Sequence, residues 1–237
     1  MMNKVLCSLL LFLSISCGLQ GRNANYARDS KRIWLDSKEI HHGEYVWKMK
    51  KAGDVISSAE KVSTLGYDTS DWLSAIVPGT VLNSLVYNKE YPEPYYGVNN
   101  KLESGKIPDI SKVGREFYTY WFRTEFDVPE SFAGKTIWLQ PDGVNYRAEI
   151  WVNGNLLSTL NGMFISDYIN VTDFVKVGRK NILAVKVYPV DVPGTTMPKS
   201  WGATGEFHNG GNGNIGLNTT MLMSVGLSLI HISEPTR

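Results

Sequence analysis

From Glu116 to Val187 the chain is a succession of short β-type segments, and this run most restricts what it can fold into. Phe117 to Val128 (FYTYWFRTEFDV) is aromatic and β-branched, and Lys135 to Gln140 (KTIWLQ) repeats that character after a Pro129–Gly134 turn. In Asn145 to Val152 (NYRAEIWV), Tyr146, Ala148, Ile150 and Val152 fall on one face, and Asn153-Gly154 follows directly. Alternation ending in Asn-Gly predicts a hairpin, because both central residues of its tight turn need positive φ. Phe164 to Val171 and Asn181 to Val187 (NILAVKV) read as further strands. Upstream, Glu44 to Lys50 (EYVWKMK) alternates with Tyr45, Trp47 and Met49 on one face, and Met221 to Val225 is a candidate last strand. Thr80 is placed to cap a short helix through Leu82, Leu85 and Val86. Many short strands separated by turns, with one convincing helix, predict an all-β sandwich or barrel. Pro141 should sit at an edge or bulge, since it brings no N–H to a ladder.

The rest of the chain divides unevenly. Met1 to Lys4 carries one positive charge and Val5 to Ser16 is apolar, too short to span a bilayer as a helix, so residues 1–21 read as an export signal. Both cysteines, Cys7 and Cys17, lie in it. Ser14-Ile15-Ser16-Cys17 resembles a bacterial lipoprotein cleavage box, with Cys17 as the candidate lipid-bearing residue and simple secretion as the alternative. A periplasmic or extracellular location follows, membrane-attached in the lipoprotein case. Without cysteines, the body must be stabilised by core burial rather than by disulfides. Residues 22–43 are polar and read as a linker, and 44–226 as the folded unit. Residues 91–115 hold little periodicity and read as one long ordered loop, a kind often tied to function.

Several chemistries are excluded. A net charge of +1 offers nucleic acid no basic surplus. No phosphate loop, dinucleotide fingerprint, nucleophile elbow or metal-ligand spacing occurs among the four histidines and two cysteines, so no cofactor and no metal is expected. Gly210 to Asn214 reads as a flexible loop. Carboxylates such as Glu90, Glu93, Asp142, Glu149, Asp167 and Glu206 are plentiful, but their spacing selects no catalytic pair. Seven tryptophans and twelve tyrosines suit both an aromatic core and sugar stacking. Tyr118, Trp121, Phe122, Trp138 and Trp151 lie in strand patterns and are expected in the core.

Five blocks carry the argument further: IVPGTVLNSLVYNKEYPEPYYGVNN (76–100), REFYTYWFRTEF (115–126), GVNYRAEIWVNG (143–154), GMFISDYINVTD (162–173) and NILAVKVYPVDVPG (181–194). In this order the chain resembles the N-terminal domain of glycoside hydrolase family 2, in the subgroup of exo-β-glucosaminidases and mannosylglycoprotein endo-β-mannosidases. The resemblance implies a jelly-roll sandwich related to galactose-binding domains. In the family it is followed by an immunoglobulin-like domain and a (β/α)₈ barrel, which supplies both catalytic glutamates for a retaining mechanism. No catalytic residue is then expected here, and those later domains are the missing partners.

In the family the loop over Tyr91–Asn100 reaches towards the active site. Tyr95, Tyr96, Asn99 and Asn100 are therefore candidates to contact a β-linked sugar, with packing of the rings onto their own sandwich as the alternative. Trp201, His208 and Asn209 form a second candidate set on a glycine-rich loop, with a mobile loop that touches no sugar as the alternative. The family continues past Gly226 with a Trp-Asp motif where this chain has Leu227-Ser228. Residues 227–237 (LSLIHISEPTR) resemble the translation of a transposase adapter used in sequencing libraries, and are expected to lie outside the fold. Three functions remain open: an exported β-glycosidase cut before its barrel, a free-standing carbohydrate-binding module, or a surface interaction protein.

Overall fold

The computed structural model describes residues 32–38, 43–94, 96, 99, 119–162, 165–189, 226–228 and 230–233. Among the described residues, thirteen strands and two α-helices follow one another: β1 (Arg32–Trp34), β2 (Trp47–Lys51), α1 (Ala59–Val62), β3 (Leu73–Ala75), β4 (Gly79–Thr80), α2 (Val81–Tyr87), β5 (Tyr120–Asp127), β6 (Trp138–Pro141), β7 (Val144–Asn145), β8 (Arg147–Val152), β9 (Asn155–Asn161), β10 (Ile169–Asn170), β11 (Lys180–Tyr188), β12 (Gly226–Leu227) and β13 (Ile230–Ser233). They form a six-stranded sheet in the order β3-β2-β5-β11-β8-β9, a four-stranded sheet β1-β13-β6-β10 and a small sheet β4-β12-β7. Every pairing between named strands is antiparallel.

Alternation decides which residues face inwards. Trp47 and Met49 of β2, Phe122 and Phe126 of β5, Leu183, Val185 and Val187 of β11, and Ala148, Ile150 and Val152 of β8 all enter one core. Leu35, Leu139, Ile169, Ile230 and Ile232 meet them from the four-stranded sheet, which makes the molecule a β-sandwich. Burying one such side chain contributes about 1.5–3 kcal/mol. Trp121 and Trp151 point the other way and pack with Val62, Trp72 and Ala184 under the segment that carries α1. They are buried as expected, but on the outer face of the six-stranded sheet. Phe122 is buried in the main core, Trp138 is half-buried, and Tyr118 lies outside the described residues.

The hairpin forms where Asn-Gly predicts it. Asn153 has φ 48° and Gly154 φ 88°, joining β8 to β9. Thr80 caps α2, its Oγ1 accepting from the Asn83 N–H at 3.1 Å. Helix α1 escaped the sequence reading because it is a single turn. Its C-terminal end is held by Arg123, which is 4% exposed. Arg123 donates from Nε to the Val62 carbonyl and from Nη2 to the Thr64 carbonyl, each at 3.0 Å.

Two expectations at the chain ends are corrected. Within the supposed linker, Arg32–Trp34 is a strand and Leu35 is fully buried. The short Ile33/Leu35 alternation was too brief to stand out among polar neighbours. Within the supposed tail, Leu227, Ile230, His231 and Ile232 are buried, and β13 lies between β1 and β6. The alternating run Ile-His-Ile gives that slot the two apolar side chains it requires. The close approach at β12 needs glycine, since a Cβ on Gly226 would stand 2.3 Å from the Gly79 carbonyl oxygen. Pro141 is neither on an edge strand nor at a bulge. It is the last residue of the interior strand β6, where its missing N–H interrupts no continuing ladder. Of the predicted strand Phe164–Val171, Ile169–Asn170 forms β10 among the described residues, and residues 164 and 221–225 lie outside them.

Candidate functional site

The described part of the candidate loop is anchored by the end of α2. Asn88 closes that helix and clamps it to β3: its Nδ2 donates to the Ser84 and Ser74 carbonyls at 2.6 and 2.8 Å, and its Oδ1 accepts from the Ser74 N–H at 3.2 Å. Lys89 follows with φ 63°, a left-handed residue that turns the chain away from the helix. The N–H groups of Glu90 and Tyr91 return to the Leu85 carbonyl at 2.9 and 3.3 Å. Tyr91 packs against the main core, and burial pushes its phenol above the ordinary tyrosine range.

Beyond Tyr91 the loop is built of consecutive turns. The Tyr96 N–H donates to the Glu93 carbonyl and the Asn99 N–H to the Tyr96 carbonyl, each at 3.2 Å. The Asn99 Nδ2 also donates to the Glu93 carbonyl, at 2.9 Å. Asn99 thus holds the loop's shape with its own amide. Tyr96 is 77% exposed, presenting its ring to solvent rather than packing it down. Beside this loop lies a hollow of about 580 Å³, lined by Val86, Lys89, Glu90, Tyr91, Pro92 and Glu93. None of these six was among the candidate sugar contacts, although Glu90 and Glu93 stood among the carboxylates from which spacing selects no pair.

The structure therefore brings Tyr96 and Asn99 together on one anchored loop. Tyr95, Asn100, Trp201, His208, Asn209 and Cys17 lie outside the described residues. Of the carboxylates, burial raises the Asp142 pKa, opposed by Arg32 and by the hydrogen bond that Gln140 donates. Among the described residues no three His, Cys, Asp or Glu side chains are grouped to hold a metal ion, and no helix is long and apolar enough to cross a membrane.

Comparison with known proteins decides the family. Residues 47–206 match the glycosyl hydrolase 2 galactose-binding domain-like family. The chain belongs to that family. It is 40% identical over 131 residues to a mannosylglycoprotein endo-beta-mannosidase of Lilium longiflorum, a match covering 55% of this chain and 13% of the relative. It is 29% identical over 149 residues to an exo-beta-D-glucosaminidase of Amycolatopsis orientalis, covering 62% of this chain and 13% of the relative. The crystal structure of an Amycolatopsis orientalis exo-chitosanase superposes with a TM-score of 0.56 at 19% identity, covering 81% of this chain and 21% of that one. A glycosyl hydrolase family 2 member from Bacteroides cellulosilyticus gives a TM-score of 0.51 at 17% identity, covering 86% and 20%. These structures speak to the fold alone. They agree with the galactose-binding-like sandwich, and the matched segment spans only a small part of each relative.

Proposed function

We propose that the chain is the N-terminal, carbohydrate-binding part of an exported retaining β-glycosidase acting on mannoside-, glucosaminide- or galactoside-type substrates. The family match over residues 47–206 carries this reading. The similarity to an endo-beta-mannosidase and an exo-beta-D-glucosaminidase supports the substrate class. Export rests on the apolar Val5–Ser16 run. In this reading the immunoglobulin-like and barrel domains, with both catalytic glutamates, belong to the parent protein.

The Tyr96 loop is then the sugar-facing element: an exposed ring for stacking on a pyranose face, on a loop shaped by Asn99. The test joins an assay to a titration. The purified chain should release nothing from aryl β-mannosides or β-glucosaminides, yet bind the corresponding methyl glycosides by calorimetry. Tyr96→Ala should weaken that binding about tenfold, in the range of a lost stacking contact. Turnover by the chain alone would refute the assignment of catalysis elsewhere. Absence of any glycoside binding would refute the carbohydrate-binding role.

A further inference from the structure

Away from the Tyr96 loop, a second hollow of about 340 Å³ opens where the start of β2, the end of β5 and the start of β11 meet. It is lined by Glu44, Tyr45, Val46, Lys48, Thr69, Arg123, Thr124, Glu125, Asp127 and Lys180. Its floor is rigid. Arg123 is fixed to α1 as described above, and its Nη1 lies 3.8 Å from Glu125 Oε1, while Lys180 Nζ lies 3.5 Å from Glu125 Oε2. Thr124 Oγ1 donates to the Val46 carbonyl at 2.8 Å. The main chain of Tyr45 is pinned, its carbonyl accepting from the Lys38 N–H at 2.7 Å and its N–H donating to the Asp36 carbonyl at 3.3 Å.

The groups above that floor are different. Tyr45, whose ring also packs against the main core, and Lys48, Glu44 and Asp127 are among the lining residues, and among the described residues none of the four makes a side-chain hydrogen bond or ion pair. Tyr45 is half-buried, and its phenol is pushed up to about 12, first by burial and then by Glu44, Asp127 and Asp36. It therefore stays protonated and able to donate. Three carboxylates face three cations around the hollow, so its charge is balanced and selects neither an anion nor a cation. Donors, acceptors and one aromatic ring around a volume at the lower end of small-molecule sites describe a receptor for one polyhydroxylated ring.

We propose that this hollow is a second sugar subsite, taking a single neutral pyranose through the Tyr45 hydroxyl, Lys48 and Asp127. The inference rests on the carbohydrate-binding reading above and assigns it a place separate from the loop. Its residues come from Tyr45, Lys48, Asp127 and Lys180, which only the sheet brings together.

The test is a two-dimensional amide NMR titration of the isotopically labelled chain with methyl β-mannopyranoside. Glucosamine and glucuronate serve as the charged arms. Saturable shifts at Tyr45, Lys48, Asp127 and Lys180 are expected, stronger for the neutral glycoside than for either charged sugar. Tyr45→Phe, which removes only the hydroxyl, should weaken binding about fivefold, as for one lost hydrogen bond. Lys48→Met should do the same if Tyr45→Phe disturbs the fold. Shifts confined to Tyr96 and Asn99, or unchanged affinity in both variants, would overturn the second subsite and leave the loop reading intact. Shifts confined to the hollow would support the subsite and count against the loop. No shift at either place would overturn both.

Discussion

Two buried polar places in this sandwich have opposite fates. At the β8–β9 turn, Asn153 and Asn181 close on one another completely. Asn153 Nδ2 donates to the Phe174 carbonyl at 2.7 Å and to Asn181 Oδ1 at 2.8 Å, and its Oδ1 accepts from the Ile182 N–H at 2.9 Å. Asn181 Nδ2 donates to the Lys176 and Arg179 carbonyls at 2.9 and 2.8 Å, and its Oδ1 also accepts from the Lys176 N–H at 2.7 Å. In the four-stranded sheet, by contrast, neither His231 nitrogen nor Gln140 Oε1 has a hydrogen-bond partner. A satisfied network stiffens the structure around it, whereas an unsatisfied one leaves an uncompensated desolvation penalty. The β8–β9 end of the six-stranded sheet is thus internally satisfied, whereas the His231–Gln140 part of the four-stranded sheet is not.

The sharpest way to break that contrast is at Asn181. Asn181→Ala removes the Asn181 side of the network and takes this partner from the Lys176 and Arg179 carbonyls, the Lys176 N–H and Asn153 Nδ2. It should destabilise by about 3 kcal/mol, as several buried groups lose partners together. Calorimetric unfolding should show the midpoint falling by roughly 2–4 °C per kcal/mol. A loss under about 1 kcal/mol would mean that the network is not what stiffens this end.

The next test is at His231, whose pKa is lowered to about 4, first by burial and then by Arg32. Facing it are Trp34, at 4.7 Å between ring centroids, and Gln140, its cross-strand neighbour. The sign follows from linkage. Above about pH 6.5 the ring is neutral in both states and costs nothing through ionisation. As pH falls towards 4 the unfolded chain takes up a proton that the folded chain refuses, so stability drops. At pH 5 the loss attributable to His231 should be about 2 kcal/mol. His231→Val should abolish that component, measured as the difference between the two proteins' urea midpoints at pH 7.5 and pH 5. Equal slopes would show that the ring finds a partner.

The sequence pattern revealed most of the six-stranded sheet and β6 of the four-stranded one but not β1 or β13, for a physical reason. The Asn153-Gly154 turn, the Thr80 cap and the inward residues of β2, β8 and β11 are set by neighbours a few positions away, so local pattern reveals them. β1 and β13 pair Arg32–Trp34 with residues 231–233 from the far end of the chain. Neither is long enough to declare itself without its partner. Residues 91–115 read as a loop from their prolines and weak periodicity and the sugar-contact candidates in it came from the family resemblance, whereas nothing in the sequence pointed to the hollow around Tyr45. Positions 45, 127 and 180 share no spacing, and only the pairing of β11 with β5 sets Lys180 opposite Asp127.

The smallest expected effect is also the most telling about the four-stranded sheet. Gln140 is divided: its Nε2 donates to Asp142 Oδ1 at 3.1 Å and to Ser166 Oγ at 3.2 Å, while its Oε1 is buried without a partner. Gln140→Met keeps the chain's reach, removes both hydrogen bonds and takes away the orphaned oxygen. Two modest hydrogen bonds are lost at a partly exposed site, and one orphaned oxygen is relieved. These effects oppose each other at about 1 kcal/mol each, so the net change should stay within about 0.5 kcal/mol. Losing the Gln140 donor also lets the Asp142 carboxyl rise further, since that hydrogen bond holds its pKa down against burial. The paired measurement is therefore a urea midpoint near its present value, together with an upward shift of the Asp142 titration followed by carboxyl NMR. A loss as large as that of Asn181→Ala would show the Gln140 oxygen to be satisfied after all, and the two polar places to be built alike.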